Sequence, residues 1–125
     1  MILSDNDINF LIKEKRLVIE NFDEKNLTPN GYDIRVDEIK VPGSDSDFIP
    51  ARSFFIVSSV EFFRFPSNLA GQIWIRTSWA RKGIILSAGM IDAGFNGKLN
   101  LFAFNSLDDI KIEKESRFAQ VIFIL

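Results

Sequence analysis

Near its N-terminus the chain carries an apolar repeat with helical spacing. Ile8, Leu11 and Ile12 recur at intervals that place them on one face of a helix. Ser4 stands before this repeat and Asp7 follows three residues later, which is the arrangement of a capping box. The pattern predicts a short helix over residues 5–15 and a short strand over residues 17–19.

From Pro29 onward the helical spacing gives way to alternation of apolar and polar residues, as in Gln72-Ile73-Trp74-Ile75. Glycine, proline and asparagine separate the alternating runs. The predicted strands are 32–36, 38–41, 53–58, 60–65, 72–77, 84–87, 98–105, 110–113 and 118–125. Many short strands at near-regular spacing indicate an all-β sandwich or barrel, here one domain over residues 1–125 with a surface loop at 42–47.

The composition of the chain excludes several kinds of chemistry but says little about the fold. Apolar residues make up 46% and charged residues 26% of the 125 residues, which is typical of a globular protein. The net charge of −2 argues against nucleic acid as a partner. Cysteine and histidine are absent, which excludes disulfides, Cys/His zinc sites and Ser-His-Asp triads. The apolar runs are far shorter than the ~20 residues of a membrane span and the first residues lack a signal peptide, so we expect a cytoplasmic protein without membrane contact.

Three segments contain more polar and charged side chains than a hydrophobic core requires, and they are the candidates for a functional site. Residues 29–36 (PNGYDIRV) fit a turn that enters a strand. Residues 76–83 (RTSWARKG) combine two arginines, a lysine and two hydroxyls, which suits either phosphate binding or a basic surface turn. Residues 87–98 (SAGMIDAGFNGK) place three glycines and Asp92 between apolar strands. A hairpin is the simplest explanation of that segment, but a partly buried Asp92 would also be able to activate water.

Together and in this order, these segments resemble the dCTP deaminase/dUTPase superfamily, and most closely its deaminase-like branch, which includes dUTPases. The likeness is carried by MILSDNDI at the N-terminus, PNGYDIRV, RTSWARKGI, SAGMIDAGFNGKLNLFAFN and the closing RFAQVIFIL. The resemblance implies a distorted β-barrel or jelly-roll-like fold with a short N-terminal helix. It also implies a homotrimer whose active sites lie at the subunit interfaces.

The same resemblance implies roles for individual residues. Asp92 would contact the 3′-hydroxyl region and activate the attacking water, with Thr77 as its catalytic companion. Asp33 would lie near the metal and triphosphate, with Mg²⁺ carried by the triphosphate. The residues expected at the sugar and base are Gly89, Ile91, Asp92, Phe95 and Phe102. Those expected at the phosphates, contributed by another subunit, are Arg76, Thr77, Ser78, Arg81 and Gln120.

Three features depart from the family pattern. The deaminases of the family place a proton-transferring glutamate where this chain has Phe102, and a phenyl ring cannot transfer protons. Thr77 replaces the first serine of its motif. The sequence ends at Leu125, without the glycine-containing tail that family enzymes close over the triphosphate.

These observations favour dUTP diphosphatase activity, in which dUTP is hydrolysed to dUMP and pyrophosphate. One alternative is a dCTP deaminase, which the overall likeness supports and Phe102 opposes. The other is a catalytically weak nucleotide-binding protein on the same fold, which the missing tail supports. In each case the expected ligand is a pyrimidine deoxynucleoside triphosphate, either dUTP or dCTP.

Overall fold

The computed structural model describes residues 1–45, 48–87 and 89–125 of the chain. Two α-helices, one 3₁₀ turn and nine strands make up the described part. In chain order they are α1 (Asp5–Lys13), β1 (Val18–Glu20), the 3₁₀ turn (Glu24–Asn26), β2 (Leu27–Thr28), β3 (Gly31–Lys40), β4 (Ser53–Arg64), β5 (Ala70–Ile75), α2 (Thr77–Ala80), β6 (Ile84–Leu86), β7 (Met90–Ile91), β8 (Asn96–Asn105) and β9 (Arg117–Ile124). Among the described residues, neither helix is of a length and apolarity that would let it cross a bilayer.

The predicted N-terminal helix is confirmed, and its capping box is formed. The Ser4 hydroxyl accepts a hydrogen bond from the Asp7 N–H, and the Asp7 carboxylate accepts one from the Ser4 N–H. The helix ends at Lys13, two residues before the predicted end. Lys15 takes a left-handed conformation with φ 59°, and the Arg16 N–H turns back to donate to the Leu11 carbonyl. These bonds satisfy the end of the helix and send the chain into β1.

The strands form one curled antiparallel sheet, which confirms the all-β, dUTPase-like half-barrel. Its strand order is β6-β8-β4-β3-β9-β5-β7, with β1 added on β4 and β2 on β3. The concave face holds a core rich in phenylalanine, including Phe55, Phe63, Phe118 and Phe123, all with 0% exposure. Strand β9 lies between β3 and β5, so it brings together residues that are distant in sequence.

Several predicted strand boundaries are wrong. The predicted strands 32–36 and 38–41 are one strand, β3, with an irregularity between Val36 and Glu38. The runs 53–58 and 60–65 likewise merge into β4, whose register to β8 shifts between Ser58 and Phe62. A bulge lets the chain pass through such a break without leaving the sheet. Residues 110–113 form no strand, because Ile110 makes only an isolated bridge.

The expectation that no helix follows Pro29 is also wrong. Strand β5 ends at Ile75, and α2 begins at Thr77. The Ala80 N–H donates to the Arg76 carbonyl at 3.1 Å, which closes a helical turn that begins at the end of the predicted strand 72–77. Of the predicted loop at 42–47, residues 42–45 are exposed and the last two lie outside the described residues.

A buried polar cluster joins β3 to β4. Glu61 has 0% exposure, and its carboxylate accepts hydrogen bonds from the Tyr32 hydroxyl at 2.8 Å and from the Arg35 N–H and Nε at 3.0 and 2.9 Å. Burial, supported by the nearby Glu61 charge, raises the pKa of Tyr32 to about 12. A buried carboxylate is tolerated only when such donors replace its water. Because neither cleft described below includes these residues, the cluster has a structural role.

Candidate active site

One candidate site is a cleft of about 290 Å³, here called the arginine cleft, at the ends of β5 and β9. It is lined by Thr28, Asp33, Ile75, Arg76, Thr77, Ser78 and Gln120. Asp33 is paired with Gln120 across β3 and β9, so the two side chains project on the same face of the sheet. Arg76 follows β5 directly, and Thr77 and Ser78 open α2. The fold therefore brings together five residues that the resemblance assigns to the phosphates and metal.

The charges of the arginine cleft are organised around Asp33. This residue is only 5% exposed. Its Oδ2 lies 3.4 Å from Arg76 Nε and 3.8 Å from Arg117 Nη1. Burial raises the pKa of the Asp33 carboxyl above its usual value, and the charges of Arg76 and Arg117 oppose that rise. The Asp33 carboxylate thus lies between the guanidinium of Arg76, which lines the cleft, and that of Arg117, which is outside the lining residues.

Gln120 is fixed by a residue that sequence reasoning missed. Its Nε2 donates to Thr28 Oγ1 at 2.7 Å. Gly31 makes this approach possible, because a Cβ there would lie 2.5 Å from the Val121 carbonyl oxygen and 2.9 Å from Gln120 Nε2. The glycine of the Pro29-Asn30-Gly31 turn was therefore the available signal for close packing beside the cleft.

Arg117 is the second residue that was missed. It begins β9, in the Arg-x-Ala-Gln pattern that carries part of the resemblance. Its carbonyl accepts a hydrogen bond from Trp79 Nε1 at 2.9 Å, which ties α2 to β9. The pattern marked the strand, but only the pairing of β9 with β3, where Arg117 stands opposite Arg35, shows that Arg117 reaches Asp33.

A second candidate site is a cleft of about 600 Å³, here called the Asp92 cleft. It is lined by Ile73, Ser87, Gly89, Met90, Ile91, Asp92, Phe95, Lys98, Leu99, Asn100, Leu101 and Phe102. All five residues expected at the sugar and base are among them: Gly89, Ile91, Asp92, Phe95 and Phe102. Asp92 is the one carboxylate among these residues.

The segment between β6 and β8 is not the simple hairpin that the sequence suggested. Met90 and Ile91 pair with Gln72 and Gly71 of β5, so after β6 the chain crosses to the other end of the sheet before it returns to form β8 beside β6. The excursion opens the Asp92 cleft between β7 and β8. Ala88, part of the segment that carries the resemblance, lies outside the described residues.

A tight turn presents Asp92 and Phe95 to the cleft. The Phe95 N–H donates to the Asp92 carbonyl at 3.0 Å, and Gly94 supplies the φ of +82° that the turn needs. Phe95 packs edge-on against Phe65, with ring centroids 6.5 Å apart, and is half-buried. Asp92 itself is exposed, so the expectation of a partly buried carboxylate is wrong for the single chain. The physical reason is that β7 ends at Ile91 and the turn carries Asp92 beyond the sheet.

Phe102 lies on the outer face of β8, where it lines the Asp92 cleft. Its ring is 46% exposed and stacks on Phe54 of β4, with centroids 6.2 Å apart and planes 10° from parallel. Ile85 and Phe104 extend this exposed apolar surface on the same face. The end of the cleft at Phe102 is therefore apolar.

The structure does not bring all the candidate residues to one place. The arginine cleft and the Asp92 cleft share no lining residue. Arg81 lines neither of them. It lies instead in a depression of about 360 Å³ with Lys82, Asp108 and Asp109. The residue assignments at the nucleotide stay predictions, and Arg81 is separated from the other phosphate residues of its own chain.

The residues present do not form a resident Mg²⁺ site. Within the described ranges no group of three or more acidic, histidine or cysteine side chains is placed to hold a metal ion. Asp33 is the carboxylate lining the arginine cleft, and two guanidinium groups already contact its Oδ2. Mg²⁺ prefers several oxygen ligands with octahedral geometry, which this donor set does not offer.

Comparison with known proteins shows the family of the chain. A family model described as dCTP deaminase-like matches residues 36–125, and the chain belongs to that family. A protein named dCTP deaminase from Pyrococcus horikoshii is 33% identical over 119 residues, covering 88% of this chain and 76% of its own. A protein of Sulfolobus islandicus rod-shaped virus 1, named probable deoxyuridine 5′-triphosphate nucleotidohydrolase, is 28% identical over 131 residues, covering 98% of this chain and 83% of its own.

Two solved structures support the fold alone. The 2′-deoxycytidine 5′-triphosphate deaminase of Agrobacterium tumefaciens superposes with a TM-score of 0.79 and 20% identity over 98% of this chain, which spans only 47% of that one. A dUTPase of Staphylococcus bacteriophage 80alpha, in its Y84I mutant form, gives a TM-score of 0.68 and 19% identity over 86% of this chain and 88% of its own. The family model and the sequence relatives confirm the predicted superfamily, and the names of the relatives include both a dCTP deaminase and a probable dUTP nucleotidohydrolase.

Proposed function

We propose that this protein is a dUTP diphosphatase, which hydrolyses dUTP to dUMP and pyrophosphate. The observation that carries the proposal is the apolar end of the Asp92 cleft, where Phe102 stacks on Phe54. Deamination of cytosine needs a group that moves protons to and from the ring, and Phe102 occupies the position that the resemblance assigns to it. Hydrolysis of a phosphoanhydride makes no such demand on the base.

Asp92 is the general base of the proposed reaction. It is the one carboxylate among the residues that line its cleft, and its exposure leaves it in reach of water. Asp92 takes a proton from a water molecule as that water attacks phosphorus, and the P–O bond to pyrophosphate breaks. Phe95, fixed against Phe65, supports the sugar, while Gly89 and Ile91 offer backbone groups to the base.

The residues of the arginine cleft bind the triphosphate. Arg76, Thr77, Ser78 and Gln120 present a guanidinium, two hydroxyls and an amide to one cleft. These groups donate hydrogen bonds to phosphate oxygens, and the guanidinium stabilises negative charge that develops on the leaving pyrophosphate. Mg²⁺ enters with the triphosphate as part of the substrate, since residues 1–45, 48–87 and 89–125 group no three acidic side chains that would hold it.

The active form is a homotrimer in which the arginine cleft of one subunit meets the Asp92 cleft of the next. The two clefts of one chain share no lining residue, so neither one alone contains both base and phosphate ligands. The exposed side chains of Phe54, Ile85, Phe102 and Phe104 give an apolar surface beside the Asp92 cleft that association would cover. A trimer also provides a cover for the exposed Asp92.

A dCTP deaminase is the second candidate, because relatives that are 33–35% identical to this chain bear that name. The third candidate is a catalytically weak nucleotide-binding protein, which the exposure of Asp92 in the single chain favours. Neither of these alternatives uses Asp92 to hydrolyse dUTP, so under either one the removal of Asp92 would not lower the rate of dUTP hydrolysis.

The test is the Asp92→Asn variant, assayed for pyrophosphate release from dUTP. Loss of a general base typically lowers turnover about 10²- to 10⁴-fold, and we expect a loss in that range with nucleotide binding largely kept. Asp45→Asn is the matched control, because Asp45 is exposed and belongs to neither set of lining residues. An Asp92→Asn variant that hydrolyses dUTP as fast as this control would exclude the role.

A further inference from the structure

We propose that Asp33 is a positioning residue of the phosphate site and not a metal ligand. Its carboxylate holds Arg76 and Arg117 side by side across the ends of β5 and β9, and it limits the affinity of the two arginines for polyphosphate. The inference rests on the proposed function for its substrate. It replaces the expectation, drawn from resemblance, that Asp33 serves the metal.

The contacts of Asp33 support this role. The side chain is nearly buried, and a single oxygen, Oδ2, lies within 4 Å of both guanidinium groups. The backbone places these groups next to each other: the Arg76 N–H donates to the Phe118 carbonyl at 3.2 Å, and Arg76 Nη1 lies 3.5 Å from the Arg117 carbonyl oxygen. Asp33 therefore lies next to both positive charges, that of Arg76 at the end of β5 and that of Arg117 at the start of β9.

Without Asp33 those two charges would repel each other. Asp33 is the one carboxylate among the residues that line the arginine cleft. The side chains of Arg76 and Arg117 are 33% and 47% exposed, so both have room to swing into solvent. A shared counter-ion removes the repulsion and keeps the guanidinium groups oriented before any ligand arrives. A guanidinium group that is already oriented stabilises the developing phosphate charge without first having to be ordered.

The same contact restrains binding of anions. A phosphate group and the Asp33 carboxylate compete for the same guanidinium N–H groups, because arginine has donors only. A ligand must also approach the negative charge of Asp33. A metal ion at Asp33 would instead have to bind beside two guanidinium charges, and the residues that line the cleft supply no further carboxylate to complete its ligands.

The experiment measures binding of tripolyphosphate by calorimetry in the presence of EDTA, so that no metal takes part. We expect the Asp33→Asn variant to bind tripolyphosphate about fivefold tighter than the parent, which corresponds to removal of one repulsive unit charge at close range in water. Glu38→Gln is the matched control: it removes a charge from an exposed site on the same strand, outside the residues lining the cleft, and should leave binding unchanged. A purely structural role would weaken binding or leave it unchanged.

Turnover of dUTP gives the second measurement. We expect Asp33→Asn to lower kcat without raising KM, since the arginines bind phosphate but are less well oriented. Tripolyphosphate binding that is no tighter in Asp33→Asn, or a rise in the Mg²⁺ concentration needed for half-maximal turnover, would overturn the inference. Where the asparagine variant does not fold, Asp33→Ser tests the same loss of charge. If the parent does not hydrolyse dUTP while Asp33→Asn still binds tripolyphosphate more tightly, the proposed function fails and this inference stands.

Discussion

The buried cluster around Glu61 allows a sharp test of what holds the two halves of the sheet together. Replacing Glu61 by glutamine preserves the shape of the side chain but removes its charge. It also places an amide N–H₂ against donors, because the Tyr32 hydroxyl and the Arg35 N–H and Nε all donate to the present carboxylate. At least one buried donor must then lose its acceptor.

The size of the effect follows from burial. Hydrogen bonds to a charged group contribute about 1.5–3 kcal/mol each, and breaking a fully buried ion pair costs about 3–5 kcal/mol. The Arg35 side chain keeps 15% exposure, so water recovers part of its loss. We therefore expect Glu61→Gln to lower the free energy of unfolding by about 2–4 kcal/mol, a large share of the ~5–15 kcal/mol of a typical domain.

The assay is urea unfolding at one fixed protein concentration, because association would otherwise change the apparent stability. Glu38→Gln, an exposed change on β3, should stay within about 0.5 kcal/mol of the parent. A Glu61→Gln variant as stable as the Glu38→Gln control would refute the claim that this cluster fastens β3 to β4.

Three further predictions follow from other parts of the molecule. Sedimentation equilibrium at micromolar concentration should give the mass of three 14.3 kDa chains, and a stable monomer would contradict the proposed trimer. In the unfolded state Tyr32 ionises near pH 10, whereas the folded chain holds its proton to about pH 12, so stability should fall as the pH rises between these values. That fall should be shallower in Tyr32→Phe, and equal pH profiles of the two unfolding free energies would exclude the linkage. The Phe102→Glu variant should release ammonia from dCTP. Phe104→Glu, a control that is exposed on the same strand but outside the Asp92 cleft, should not. Equal rates of ammonia release in the two variants would show that Phe102 does not decide between the two reactions.

Local patterns in the sequence predicted much of the fold. The helix from Asp5 was foreseen because its cap and apolar face lie within a few residues of each other. Strands β8 and β9 are close to the predicted 98–105 and 118–125, because alternation persists through them, whereas β3 and β4 were each predicted as two strands, since an irregularity interrupts their register. By contrast, α2 has only four residues, too few to show a helical period, and β7 has two residues whose partners lie on β5. Such elements are set by pairing with distant strands, which no local pattern records.

The candidate site was likewise predictable only in part. The resemblance selected part of the lining of each cleft, including Asp92 in one and Gln120 in the other, but missed Thr28. It did not reveal that Asp33 shares one oxygen between Arg76 and Arg117, because this contact exists only where β9 lies between β3 and β5. It also assigned Arg81 to the phosphates; this residue caps the end of α2 and lines another depression of its own chain, so that assignment stays a prediction.

The central claim, hydrolysis of dUTP and not deamination of dCTP, is tested most directly by product analysis. The purified protein is incubated with Mg²⁺ and either dUTP or dCTP, and pyrophosphate and ammonia are measured separately against a control without protein. We expect pyrophosphate and dUMP from dUTP, and no ammonia from dCTP, because Phe102 leaves the end of the Asp92 cleft without a group that transfers protons. Ammonia released from dCTP, without pyrophosphate from dUTP, would contradict the account.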